Sequence, residues 1–87
     1  MAHYSLTRES DGAGDSGPMS EALDAKSFKV MGNRPIIGCC MRVGSHYART
    51  MDHQDWWLTT AVVEILEENE NFVRFKTKNS IYAWTSD

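Results

Sequence analysis

The ionisable side chains that could perform chemistry are concentrated in residues 46–55. Two imidazoles and two carboxylates lie there within ten residues, at His46, Asp52, His53 and Asp55. Such groups can bind a divalent metal when they converge. However, His46 and His53 are seven residues apart, which is not a recognised ligand spacing. We therefore interpret all four as weak metal candidates in a solvated polar loop, and we predict neither a metal nor another cofactor.

Nucleophilic catalysis has little support in the sequence. Cys40 could pair with His46 or His53, but no spacing favours a thiol–imidazole pair. The stretch GAGDSG at 12–17 precedes no strand-to-helix unit and does not indicate a phosphate loop. The adjacent Cys39 and Cys40 should point to opposite faces of a strand as reduced thiols, one buried and one nearer the surface. These features favour a binding function over an enzymatic one.

Two adjacent tryptophans follow the polar loop and must face opposite ways on a strand. Trp57 is in phase with Val63 and Ile65, which predicts that it belongs to the core. Trp56 and Leu58 should then point outward and pack against an N-terminal arm formed by residues 1–26, a second copy of the chain or a foreign partner.

The last predicted strand is apolar on both faces, because Tyr82 and Trp84 alternate with other apolar residues. We predict a binding surface made of Trp56, Leu58, Tyr82 and Trp84, together with Tyr47 in the loop. This is more apolar surface than a small domain of about five strands can bury by itself, which predicts a homo-oligomer, either a dimer or a tetramer. A protein or a small molecule remains an alternative partner, and a pocket at the subunit interface would make an enzyme possible.

Charge is distributed in blocks along the 87 residues. Residues 1–25 carry −4, residues 26–51 carry five bases and no acid, and residues 52–87 carry −4. Arg34, Arg42 and Arg49 are candidate anion contacts, and a small barrel with such groups near Tyr47 could bind single-stranded nucleic acid. The net charge of −3 disfavours that alternative. The acidic residues 1–25 could instead lie across the basic residues 26–51.

The distribution of apolar residues predicts a mainly β protein. Residues 1–26 have the composition of an acidic, flexible or helical arm, and residues 27–87 contain about five short strands, typical of a small barrel. The segment WWLTTAVVEILEE is longer than a usual strand, so we expect a bend or bulge near Thr60 and Ala61. FVRFKT and SIYAW should form a hairpin, and Ile37, Cys39, Met41 and Val43 should share an apolar face.

Residues 36–84 resemble the small SH3-like barrels found in short bacterial, phage and mobile-element proteins. The segments TTAVVEI and FKTKNSIY carry most of this resemblance, which implies a fold and little about activity. The type II dihydrofolate reductases are similar in size and assemble such barrels into tetramers around a pore. In their pore strand, Val-Gln-Ile-Tyr, only the last two residues match this chain, at Ile81 and Tyr82. The assembly is the part of this resemblance that we expect to transfer.

The chain shows no apolar run of about 18 residues, the length that a membrane helix requires. Its first residues also lack the charged start and apolar stretch of a secretory signal. We therefore expect a cytoplasmic protein with no membrane partner.

Overall fold

A computed structural model describes residues 3–45 and 55–87, which form eight β-strands and contain no helix. The strands are β1 (Tyr4–Arg8), β2 (Gly14–Gly17), β3 (Met19–Asp24), β4 (Val30–Gly32), β5 (Cys39–Ser45), β6 (Asp55–Glu68), β7 (Phe72–Thr77) and β8 (Ile81–Ser86). All pairs are antiparallel, in the order β2-β1-β8-β7-β6-β5-β3-β4. The mainly β prediction is confirmed.

The five-stranded barrel and the helical arm are wrong. The described residues form one eight-stranded sheet that is not closed by hydrogen bonds, and β1, β2 and β3 all lie within the predicted arm. The boundary predicted after residue 26 falls in the turn between β3 and β4, two strands of the same sheet. Strand β1 is short, and its partner β8 lies at the other end of the sequence. Local composition therefore gave no signal for it.

The sheet curls back on itself because Pro18 alone separates β2 from β3, which lie near opposite ends of the strand order. Strand β2 pairs with β1, whereas β3 pairs with β5. The close approach depends on glycine, because a Cβ atom at Gly17 would overlap the carbonyl group of Gly44 on β5. The glycines that suggested a flexible tail therefore permit tight backbone packing.

The core fills the inside of this curled sheet. Its buried members come from six of the strands: Leu6, Ala22, Cys39, Met41, Val43, Val62, Val73, Phe75, Tyr82 and Trp84. Cys39, Met41 and Val43 confirm most of the apolar face predicted for β5, but Ile37 does not belong to it, because it precedes the strand and is 60% exposed. The ring of Trp84 stacks on Tyr4 with centroids 5.9 Å apart, so the first and last strands share one aromatic contact.

Strand β6 bends through irregular pairing. Two residues of β6, Thr59 and Thr60, face Met41 alone on β5, which confirms the predicted bulge. The amide of Met41 donates to the hydroxyl of Thr59 at 3.0 Å, so a side chain satisfies the interrupted ladder. Two further register shifts, around Val63 and Leu66, occur where β6 pairs with β7. The hairpin of β7 and β8 pairs as predicted.

Candidate functional site

The outer face of β3, β5 and the first half of β6 carries the main candidate site. Glu21 is directly opposite Arg42, which is directly opposite Leu58. Side chains on this face point away from the core because their neighbours Ala22, Met41 and Trp57 point towards it. We call the surface formed by Glu21, Arg42, Trp56 and Leu58 the Trp56 face.

Arg42 is the central residue of the Trp56 face. Its guanidinium lies 5.4 Å from the centre of the Trp56 ring, within cation–π range. Its Nε also donates to Glu21 Oε1 at 3.0 Å, and the two side chains form an ion pair that is only about a quarter exposed. Arg42 is therefore held by a carboxylate on one strand and an aromatic ring on another.

Leu58 is the exposed apolar member of the Trp56 face. It is 44% exposed, whereas Trp56 beside it is half-buried. The outward position predicted for both residues agrees with this geometry. Sequence reasoning missed Glu21, because residues 1–26 were predicted to form a flexible or helical arm. The alternation of Met19, Glu21 and Leu23 with smaller residues was the available strand signal.

Trp57 points inward, as predicted, and packs against the core. The guanidinium of Arg8 lies 5.1 Å from its ring centre. The indole Nε1 is buried and has no hydrogen-bond partner among the described residues. The inward phase does not continue as predicted, because the bulged pairing leaves Val62 1% exposed and Val63 52% exposed.

Tyr82 and Trp84 lie in the core, 5% and 1% exposed, and do not form the outward aromatic surface predicted for them. Tyr82 stacks on Phe75, and the Nε1 of Trp84 donates to the hydroxyl of Ser20 at 2.9 Å. The prediction counted too few strands. With β1, β2 and β3 added to the sheet, an enclosed interior exists that holds both rings.

Arg34, predicted as an anion contact, joins two parts of the fold. Its guanidinium donates to the carbonyl oxygens of Glu70 and Asn69 at 2.6 and 2.7 Å, and pairs with the carboxylate of Glu68. It also lies 5.3 Å from the ring centre of Trp84. Three hydrogen bonds therefore hold its guanidinium within the chain.

Every arginine in the described residues has a carboxylate partner. The remaining two pairs are Arg8 with Asp11 and Arg74 with Glu9. Hydrogen bonds from Arg8 are the main reason that the pKa of Asp11 falls to about 2. Of the acids in residues 1–25, Glu21 alone reaches an arginine of the predicted basic block in the described structure.

Several predicted site residues lie outside the described residues: His46, Tyr47, Arg49, Asp52 and His53. Asp55 begins β6, but its side chain is not described. In residues 3–45 and 55–87, no group of three or more histidine, cysteine or acidic side chains could hold a metal ion.

Both cysteines are free and buried, which corrects the prediction that one lies near the surface. Cys39 points into the core, whereas Cys40 is on the opposite face between Leu23 and Ala61 in the strand register. Burial raises the pKa of both thiols, so neither is activated as a nucleophile.

Comparison of the chain with protein families, curated proteins and solved structures found no match. Among the residues that the structure describes, no helix has the length and apolar character needed to cross a membrane.

Proposed function

We propose that this protein is a small interaction module that self-associates through the Trp56 face. The observation that carries the proposal is the exposed Leu58 beside a half-buried Trp56, on a face where Glu21 and Arg42 neutralise each other. The centres of protein interfaces are depleted in unpaired charge and enriched in tryptophan and arginine. Because the two charged side chains are already only about a quarter exposed, a partner that covers them removes less water than it would from two free charges.

A second copy is the partner that the chemistry favours. An isologous contact joins the same surface patch of two copies and therefore brings no unpaired charge to the centre. A polyanion such as single-stranded nucleic acid is less well matched, because Arg42 and the other described arginines already have carboxylate partners. The proposal therefore commits to a homo-oligomer whose centre includes Leu58.

The test is the mass in solution, measured by sedimentation over a range of protein concentrations. We expect the wild-type chain to sediment above the monomer mass and to dissociate on dilution. Leu58→Glu should sediment as a folded monomer, because it places an unpaired charge at the centre of the contact. Ile37→Glu is the matched control, since Ile37 is also strongly exposed, at 60%, and lies outside the Trp56 face. It should leave the mass unchanged.

A wild-type monomer at every concentration would refute self-association. Dissociation by Ile37→Glu together with an unchanged Leu58→Glu mass would place the contact on another surface and refute the role of the Trp56 face.

A further inference from the structure

A pocket lies away from the Trp56 face, between the turn that follows β1 and the turn that joins β7 to β8. It is an open pocket of ≈ 450 Å³ lined by Glu9 and Ser10 from the first turn and by Lys78, Asn79 and Ser80 from the second. Lys76 at the end of β7 and Ile81 at the start of β8 complete the lining. The amide of Glu9 donates to the carbonyl oxygen of Ile81 at 2.9 Å. That bond holds the two turns beside each other.

Apart from Glu9, the polar side chains that line this pocket have no partner among the described residues. Within the described residues, no side-chain hydrogen bond or ion pair engages the ammonium groups of Lys76 and Lys78, the hydroxyls of Ser10 and Ser80, or the amide of Asn79. Lys76 is opposite Glu64 in the strand register, but the two do not form an ion pair. The lysines therefore differ from the described arginines, all of which are paired.

The single acid of the pocket lining is already neutralised. The carboxylate of Glu9 accepts two hydrogen bonds from Arg74, at 2.7 and 3.0 Å. These bonds lower the pKa of Glu9, so that it remains ionised together with its partner. The pocket consequently presents two unpaired positive charges with three uncharged hydrogen-bonding side chains.

We propose that this pocket binds the phosphate group of a small phosphomonoester. Two ammonium groups match a dianion, the hydroxyls and the amide can donate to its remaining oxygens, and Ile81 with the lysine stems offers apolar contact to the attached carbon group. This site is independent of self-association, because it uses none of the residues of the Trp56 face.

Phenyl phosphate is a suitable probe, because it combines the dianion with a small apolar group. We expect its titration into the full chain, followed by amide chemical shifts in ¹H–¹⁵N NMR, to saturate and to move the amides of Ser10 and residues 76–81 most. Benzyl alcohol, which has the ring without the charge, should not reproduce these shifts. Equal shifts with benzyl alcohol would show an apolar pocket without phosphate recognition and would overturn the proposal.

The double variant Lys76→Gln/Lys78→Gln should bind phenyl phosphate about tenfold more weakly, as expected for two exposed charge contacts. Lys26→Gln/Lys29→Gln is the matched control, with the same change of charge in the turn between β3 and β4, and should bind like the wild type. All four lysines are exposed, so both variants should keep the wild-type NMR dispersion. Absence of saturable shifts, or equal weakening in both variants, would overturn the proposal.

Discussion

The hydroxyl of Ser20 links two parts of the interior, and its removal should weaken the fold measurably. It accepts a hydrogen bond from Trp84 Nε1 at 2.9 Å and donates to the carbonyl oxygen of Asn33 at 2.8 Å. Ser20 is 7% exposed and Trp84 is 1% exposed, so water cannot readily replace the hydroxyl at the indole. Asn33, in contrast, is an exposed residue.

Ser20→Ala should therefore lower the free energy of unfolding by about 1–3 kcal/mol, the cost of leaving one buried donor unpaired. The pairwise contribution is isolated by a double-mutant cycle with Trp84→Phe, because phenylalanine removes the orphaned donor as well. The double variant should cost about 1 kcal/mol less than the sum of the single variants. Ser5→Ala, at a half-buried serine of β1, should change stability by less than about 0.5 kcal/mol.

Urea unfolding followed by far-ultraviolet circular dichroism measures these energies without relying on tryptophan emission. All variants should be compared at one protein concentration, because an oligomer contributes a concentration-dependent term. An unchanged dependence on urea would show that the denatured state is comparable. If the losses of Ser20→Ala and Trp84→Phe simply add, the hydrogen bond contributes nothing to stability and the reasoning is refuted.

Two further predictions concern the turn after β1 and the curl of the sheet. The pKa of Asp11 in the folded protein is about 2, below its ordinary 3.8, because of Arg8, so its contribution to the free energy of unfolding is present above pH 3.8 and is lost as the pH falls towards 2. In urea unfolding at a series of pH values between these limits, Asp11→Asn should lose less stability with falling pH than the wild type. An equal loss in both proteins would contradict this prediction. Gly17→Ala should lower the free energy of unfolding in urea by about 1–3 kcal/mol, because the added methyl group would overlap the backbone of Gly44. Gly32→Ala should cost much less, because its methyl group would meet only the end of the Ile36 side chain. Equal losses would refute the close-packing argument.

The positions of the strands from β5 to β8 were well predicted because their signals are local. The hairpin of β7 and β8 has short alternating segments around a two-residue turn signal, and β5 alternates cleanly. The bulge in β6 followed from length alone. The face of Val63 could not be predicted, since each extra residue in a bulge reverses the phase of everything after it.

The first quarter of the chain was misread because its strands are specified by distant partners. In β1, Leu6 is directly opposite Trp84, a contact between residues 78 positions apart in sequence. The glycines of β2 suggested a flexible segment when the sequence was considered alone. In the fold, they allow the backbone of β2 to approach the backbone of neighbouring strands closely. The Trp56 face was predicted only in part. Strand alternation gives the outward direction of Trp56 and Leu58, but it does not show that Glu21 on β3 pairs with Arg42.

The ladder between β1 and β8 also has a kinetic consequence. Strand β1 has β2 on one side, and its other edge is paired only when β8 has formed. A hairpin of β1 and β2 alone is only marginally stable in water, so these two strands should become stably folded late in folding. Closing so long a loop costs conformational entropy before any contact compensates for it, which places folding among the slower, non-local β topologies. Until β8 has formed, the inner face of β3 also lacks the hydrogen bond that Trp84 donates to Ser20.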